Sequence, residues 1–235
     1  MKAEILDRLR AERAAKRPVA LLTNLKSGAQ NIFYPSEKET QLSPEFPEMV
    51  RGALRDDRSR TVDTADGPVF IHVHNPPLRL VIVGAVHIAQ PLSRMAALSG
   101  YAVTVIDPRR AFASDARFAD VAVSRDWPDE ALAALAPDAR TAVVMLTHDP
   151  KLDDPALDVA LGSPAFYIGA LGSKRTQAAR AKRLADRGLG AAAIARIHGP
   201  IGLSIGALSP AEIAIAIMAE ITQVRRRGEP AGAAA

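Results

Sequence analysis

The chain contains no cysteine, which excludes disulfides, thiolate metal ligands and a cysteine nucleophile. Aromatic side chains are scarce, 4% of the residues against a hydrophobic share of 48%. The core must therefore be built from Ala, Val, Ile and Leu, the usual filling of helices packed on a buried parallel sheet. No stretch approaches the roughly 20 apolar residues of a bilayer span. The opening MKAEILDRLRAERAAKR is charged throughout and lacks the apolar run of a secretory signal, so a cytoplasmic protein with no membrane partner is expected. A basic stripe is missing as well: 30 Lys and Arg against 26 Asp and Glu leave a net charge of +4. No nucleic-acid reading module accompanies them, and no nucleic-acid partner is expected.

The 235 residues exceed a typical domain of roughly 150 and suggest two. Ile5, Leu6 and Leu9 at helical spacing predict a short helix from Ala3 to Lys16, ended by Pro18. PVALLTNL and NIFYP read as strands of a hairpin around the Lys26 to Gln30 turn, and a helix is expected from Pro44 to Leu54 with Ser43 as its cap. Asp66-Gly67, between TVDT and VFIHVH, is a hairpin signal because both centre positions of that turn favour positive φ. These elements make residues 1–77 a small α+β domain, closed by Asn75-Pro76-Pro77. From Arg79 onward RLVIV, AVTVI, VAV, TAVVML and AFYI alternate with helical stretches. This is the βαβ pattern of a Rossmann-like α/β domain, 78–235, with helices on both faces of a parallel sheet and ligands at the carboxyl ends of its strands. Ser209-Pro210-Ala211-Glu212 announces a last helix whose AIAIAIMAEI is apolar almost all round. It is expected to pack on the sheet, the first domain or a second copy in a homodimer.

Four constellations sit where such a sheet binds ligands. In LVIVGAVHIAQPL, Gly84, Val86 and Ala89 occupy the places of the three glycines of a dinucleotide fingerprint. Val86 puts a branched side chain where the second glycine would admit a pyrophosphate. Asp107 follows 23 residues after Gly84, where an acid would receive a ribose diol. Next come Arg109 and Arg110, which could fork onto a phosphate or carboxylate; the alternative is that Asp107-Pro108 only caps the next segment. Thr147, His148 and Asp149 leave the end of TAVVML. His148 suits phosphate donation or proton transfer with Asp149 orienting it, while Asp153 or Asp154 before Pro155 would make a helix start. In AFYIGALGSKRTQ, Gly169 and Gly172 precede Ser173, Lys174 and Arg175 at the opening of a basic helix, an anion-binding arrangement that lacks the spacing of a triphosphate P-loop. Finally, Gly199, Gly202 and Gly206 punctuate HGPIGLSIGALS, either as a wall facing a cofactor or to let helices approach. His72 and His74 share one strand face but no third ligand is visible, and no metal site is expected.

In their order, VIVGAVHIAQPL, VTVIDPR with a downstream RF, LTHDPKLDDPAL, YIGALGSKRT and PIGLSIGALSPAEIAIAIMAEI resemble the XdhC/CoxI family, the accessory proteins of xanthine dehydrogenase and carbon monoxide dehydrogenase. The resemblance covers residues 79 to about 227. It implies a chaperone that binds the molybdenum cofactor, a molybdopterin with or without a nucleotide, protects it during sulfuration and delivers it to an apo-hydroxylase. A sulfur-donating cysteine desulfurase is a further implied partner. It also implies cofactor contacts near Gly84, His87 and Gln90, at Asp107, at Thr147 to Asp149 and at Gly169 to Arg175. Two departures stand out: the family's GAGHVAQ reads GAVHIAQ here, and the cysteine motif of the usual N-terminal domain is missing. Two other readings stay open, an NAD(P)-dependent oxidoreductase resting on Gly84 and Asp107, and a scaffold whose Rossmann shell has lost its ligand.

Overall fold

The computed structural model describes residues 3–36, 45–109, 111–113, 117–119 and 121–227. Ser43, Pro44 and Arg110 therefore lie outside the described residues. The chain divides into two compact units, Met1–Pro76 and Pro77–Ala235.

The first unit runs α1 (Ala3–Ala14), β1 (Val19–Asn24), β2 (Gln30–Phe33), α2 (Phe46–Asp56), β3 (Arg60–Thr64) and β4 (Gly67–His74). Its strands form an antiparallel sheet in the order β2-β1-β4-β3. The alternation along β1 sorts its two faces: Val19 and Leu21 join Leu9 of α1, whereas Ala20 and Leu22 join Phe46, Val50 and Leu54 of α2. The Asp66-Gly67 hairpin forms with a shifted turn. Thr64 pairs with Gly67, so Ala65 and Asp66 are the turn residues, and only Gly67 takes positive φ, 109°.

The second unit continues with β5 (Leu78–Val83), α3 (Ala89–Leu98), β6 (Tyr101–Ile106), β7 (Ala122–Ser124), α4 (Pro128–Leu135), β8 (Thr141–Met145), α5 (Pro150–Leu161), β9 (Tyr167–Ala170), α6 (Lys174–Asp186), α7 (Ala191–Ile194), β10 (Ile197–His198) and α8 (Pro210–Arg227). All six strands are parallel, in the order β10-β9-β8-β5-β6-β7. Strict alternation along the central strands divides the core. Leu80 and Ile82 of β5 and Val144 of β8 meet Leu92 of α3 and Ile217 and Ile221 of α8. Val81, Val83, Val143 and Met145 meet Leu132 of α4, Leu157 of α5 and Leu184 of α6 on the other face. Each such buried side chain contributes roughly 1.5–3 kcal/mol relative to exposure. The apolar last helix thus has its partner within the unit, in α3 and the sheet.

Capping at α8 follows the sequence. At α8 the Glu212 carboxylate accepts from the amides of Leu208 and Ser209 at 2.9 and 2.8 Å, while the Glu212 amide donates to Ser209 Oγ at 3.2 Å, a reciprocal capping box. Ser173 caps α6, accepting from the Thr176 amide at 3.1 Å. The start of α5 differs: it lies at Pro150 rather than near Pro155, because Asp149 directly after the strand accepts from the Lys151 amide at 3.0 Å. Pro155 lies inside the helix, which leaves Asp153 and Asp154 free to face other elements.

Candidate functional site

In the order β9-β8-β5-β6 the chain leaves β5 toward β6 on one side and later returns to lay β8 on the other. The topological switch therefore lies between β5 and β8, and the crevice outside their carboxyl ends is where an open parallel sheet takes ligands. Gly84 and Thr147 stand in contact at these two strand ends. Gly84 has φ +110° and its amide donates to Ile106 O at 2.8 Å; a Cβ there would stand 2.8 Å from Thr147 Cγ2. Only glycine satisfies both the backbone angle and the close approach. Val86 turns its side chain onto the apolar cluster under α3, so the branched residue in the fingerprint packs inward.

Asp107 stands at the end of β6 with 0% exposure. One oxygen accepts from the Ala85 amide at 2.8 Å and Arg109 Nη2 at 2.8 Å; the other accepts from the Arg109 amide at 3.0 Å and Arg109 Nε at 2.9 Å. Burial pushes this carboxyl up, but the Arg109 side chain and the two amides outweigh it and hold the pKa below the usual range. The Arg109 guanidinium also lies over the Phe112 ring, 4.4 Å from its centroid. Gln90, in the first turn of α3, is engaged by the protein itself: its side-chain oxygen accepts from Arg117 Nε and Nη2 at 2.9 and 2.6 Å. His87 is exposed in the turn just before that helix.

Across the crevice, Thr147 Oγ1 donates to Asp153 Oδ1 at 2.5 Å and accepts from the Asp149 amide at 3.1 Å. Between them His148 is exposed and has φ 61°, a left-handed conformation that costs a non-glycine residue roughly 1–2 kcal/mol. Asp149 uses its side chain to cap α5. Beneath this loop lies a pair that the sequence motifs did not point to, Asp153 and Arg180, each 2% exposed, with 3.9 Å between carboxylate and guanidinium. Burial raises the Asp153 pKa, against the Thr147 hydrogen bond and the Arg180 charge; burial lowers that of Arg180, against Asp153 and Asp154. Arg180 also donates to Leu171 O at 2.9 Å and to Gln177 Oε1 at 2.7 Å, while its Nε has no hydrogen-bond partner. The β8 loop and the β9 loop are thereby fastened to one buried network. Its one sequence signal is an arginine four residues before Leu184 on the inward face of α6.

After β9, Gly172 turns with φ 138° and leads into Ser173, Lys174 and Arg175, all three exposed. First-turn amides of a helix have no intrahelical acceptor; the Ser173 hydroxyl takes that of Thr176, and those of Lys174 and Arg175 lie beside two exposed cations. Gly169 does not reach this rim: it is buried within β9 under Ile201, whose Cδ1 would stand 2.5 Å from a Cβ there. Of the 199–206 segment, Ile201 is buried and Gly202 is tied inward, whereas Ser204, Ile205 and Gly206 are exposed. Tyr167, His198 and the Gly202 amide all meet Glu220 of α8; the Gly202 bond is 2.8 Å, the His198 Nδ1 contact 3.5 Å, and the Tyr167 and His198 rings stack 4.6 Å apart. The sequence motifs named Gly202 but not this grouping, since its members come from three separate segments.

In the first unit the His72 and His74 rings lie 4.1 Å apart, and His74 Nε2 is buried without a partner. Burial, then the charges of His72 and Arg13, lower the His74 pKa. Among the described residues no three His, Asp or Glu are grouped to hold a metal ion, and no helix is long and apolar enough to cross a membrane.

Residues 80–221 match the family model described as the XdhC Rossmann domain. A probable xanthine dehydrogenase component of Bacillus subtilis is 34% identical over 180 residues, covering 73% of this chain and 52% of the relative. The molybdenum cofactor insertion chaperone PaoD of Escherichia coli is 31% identical over 154 residues, covering 66% of this chain and 42% of the relative. The crystal structure of a xanthine dehydrogenase from Bacillus halodurans superposes with a TM-score of 0.70 at 26% identity, covering 95% of this chain and 67% of that one. The chain spans only 29% to 52% of the length of the curated relatives it matches.

Proposed function

The chain belongs to the XdhC Rossmann domain family, and from that premise we propose that it binds the molybdenum cofactor at the carboxyl edge of its parallel sheet and assists its insertion into a molybdenum hydroxylase. The observation that carries this reading is the convergence, on one strand edge, of the β5 and β8 strand ends at Gly84 and Thr147, where the topology switches, with the cationic start of α6. The residues present fit a phosphate-bearing pterin. Ser173, Lys174, Arg175 and the first-turn amides of Lys174 and Arg175 suit its phosphate, and Arg109 supplies a further cation at the end of β6.

When bound, the group supplies the redox chemistry of the hydroxylase; the chain's part is to hold and shield it. Lys174 and Arg175 bind, Thr147 and Asp153 fix the facing loop, and exposed His148 can hold or give a proton beside the crevice. Asp107 serves by holding Arg109. In the same reading the protein is cytoplasmic, meets an apo-hydroxylase of the xanthine or carbon monoxide dehydrogenase type, and receives sulfur from a cysteine desulfurase partner. A homodimer is supported by an open groove of about 590 Å³ between α3 and α8, lined by Met95, Ile215 and Met218 among others; light scattering giving a monomer mass would end that part.

The test is anaerobic thermal unfolding with molybdenum cofactor released from a donor enzyme, followed by activation of an apo-hydroxylase. A ligand specific to the folded state at 100 times its Kd adds about 2.7 kcal/mol. Absence of both stabilisation and activation removes the reading. A scaffold would instead keep its activity when Lys174 and Arg175 are both replaced by alanine.

A further inference from the structure

An ionised carboxylate offers about four lone-pair positions, and at Asp107 four hydrogen bonds already occupy them. With 0% exposure, this acid has neither acceptor capacity nor an open path for a ribose diol. It acts as a clamp instead, tying the Ala85 amide of the crevice loop to the Arg109 backbone and side chain. The outward-facing group at the end of β6 is the arginine. Its Nε and Nη2 are engaged by Asp107, but Nη1 has no hydrogen-bond partner among the described residues, and the guanidinium rests on Phe112. Phe112 is 40% exposed. The turn beneath is closed by the amides of Phe112 and Ala113 donating to Arg109 O at 2.9 and 3.3 Å, and Ala113 is anchored in the core. The cation is therefore fixed before any ligand arrives, which lowers the ordering cost of binding.

Neighbouring carboxylates do not compete for the free nitrogen through hydrogen bonds. Asp149 Oδ1 is turned to the Lys151 amide, and Asp153 is buried against Thr147 and Arg180. A guanidinium with an open N–H edge over an aromatic ring matches a phosphate monoester, which it meets with charge-assisted hydrogen bonds.

Resting on the reading that this strand edge seats a phosphate-bearing cofactor, we propose that Arg109, clamped by Asp107 and supported by Phe112, selects ligands that place a phosphomonoester at the end of β6 and rejects those that place an unmodified ribose diol there. Two sources share this chemistry, the phosphate of a pterin and the 2′-phosphate of a nicotinamide dinucleotide.

The experiment titrates the full-length protein with two matched pairs, NADPH against NADH, and the fluorescent oxidised pterin phosphate against the same pterin after phosphatase treatment. In at least one pair the phosphorylated member binds about tenfold to a hundredfold more tightly, the worth of a charge-assisted hydrogen bond or two. The pair showing the preference identifies the source. R109A abolishes the preference, the phosphorylated member losing the affinity that set it apart. Because R109A also strips Asp107 of its partner, F112A serves as the second variant: it spares the ion pair and reduces the preference. Equal binding within both pairs, or a preference that survives R109A in a protein that melts like the parent, overturns the inference. Failure of hydroxylase activation with the phosphate preference intact would instead count against cofactor insertion alone.

Discussion

Asp153 and Arg180 face each other 3.9 Å apart, each 2% exposed, and between them they bond Thr147 in the loop after β8 and Leu171 in the loop after β9, both bordering the candidate site. Removing one partner from such a pair leaves an uncompensated buried charge, at a cost of about 3–5 kcal/mol. R180M is expected to lower the stability to urea by that order. Adding D153N to R180M should recover a substantial part of the loss. A double-mutant cycle with strictly additive effects would show that the two residues act independently.

His148 combines exposure with a left-handed backbone. H148G relaxes that backbone, so it should melt no lower than the parent and at most about 1–2 kcal/mol more stably. H148A keeps the strain and should not gain. If the ring works on the bound ligand, both variants lose cofactor transfer alike; undiminished transfer by H148A would assign the strained conformation, not the imidazole, to the function.

Gly84→Ala places a methyl 2.8 Å from Thr147 Cγ2 at φ +110°. The backbone strain alone is about 1–3 kcal/mol, and the same methyl narrows the crevice. Thermal unfolding should register the first effect and ligand titration the second. Stabilising G84A elsewhere in the fold should restore the melting temperature without restoring binding.

Glu220 supplies a pH prediction. Burial pushes its carboxyl up, but hydrogen bonds from His198, Tyr167 and the Gly202 amide outweigh burial and hold its pKa below the usual value. Since the folded pKa is the lower one, the stabilisation is fully present above the unfolded carboxylate pKa of about 4.3 and fades as pH falls through the folded value. E220Q should therefore lose stability at neutral pH and flatten the acid limb of the stability curve. Parallel acid limbs for E220Q and parent would contradict this origin.

The parallel sheet was readable in the sequence because its strands are buried on both faces and so appear as uninterrupted apolar runs such as LVIV and AVVM. The cap of α8 was equally plain, being satisfied within four residues of chain. The start of α5 was not, since Asp149, Asp153 and Asp154 are all plausible caps. Asp154 pairs instead with Arg183, at 2.6 and 2.9 Å across 29 residues of chain, and no local pattern signals such a partner. The same limit applies to the rim. The residues that reach it could be named from the strand ends, whereas the closure of Asp107 by its own neighbour, the burial of Gly169 beneath Ile201 and the engagement of Gln90 by Arg117 depend on side-chain directions.

The strands that end the parallel sheet are its shortest, two residues in β10 and three in β7. An outer strand with so few unpaired amides and carbonyls gives an incoming strand almost nothing to zip onto. The sheet is thus guarded against lateral growth into fibres, and copies of this unit that meet at high concentration will touch through helix surfaces and remain separable.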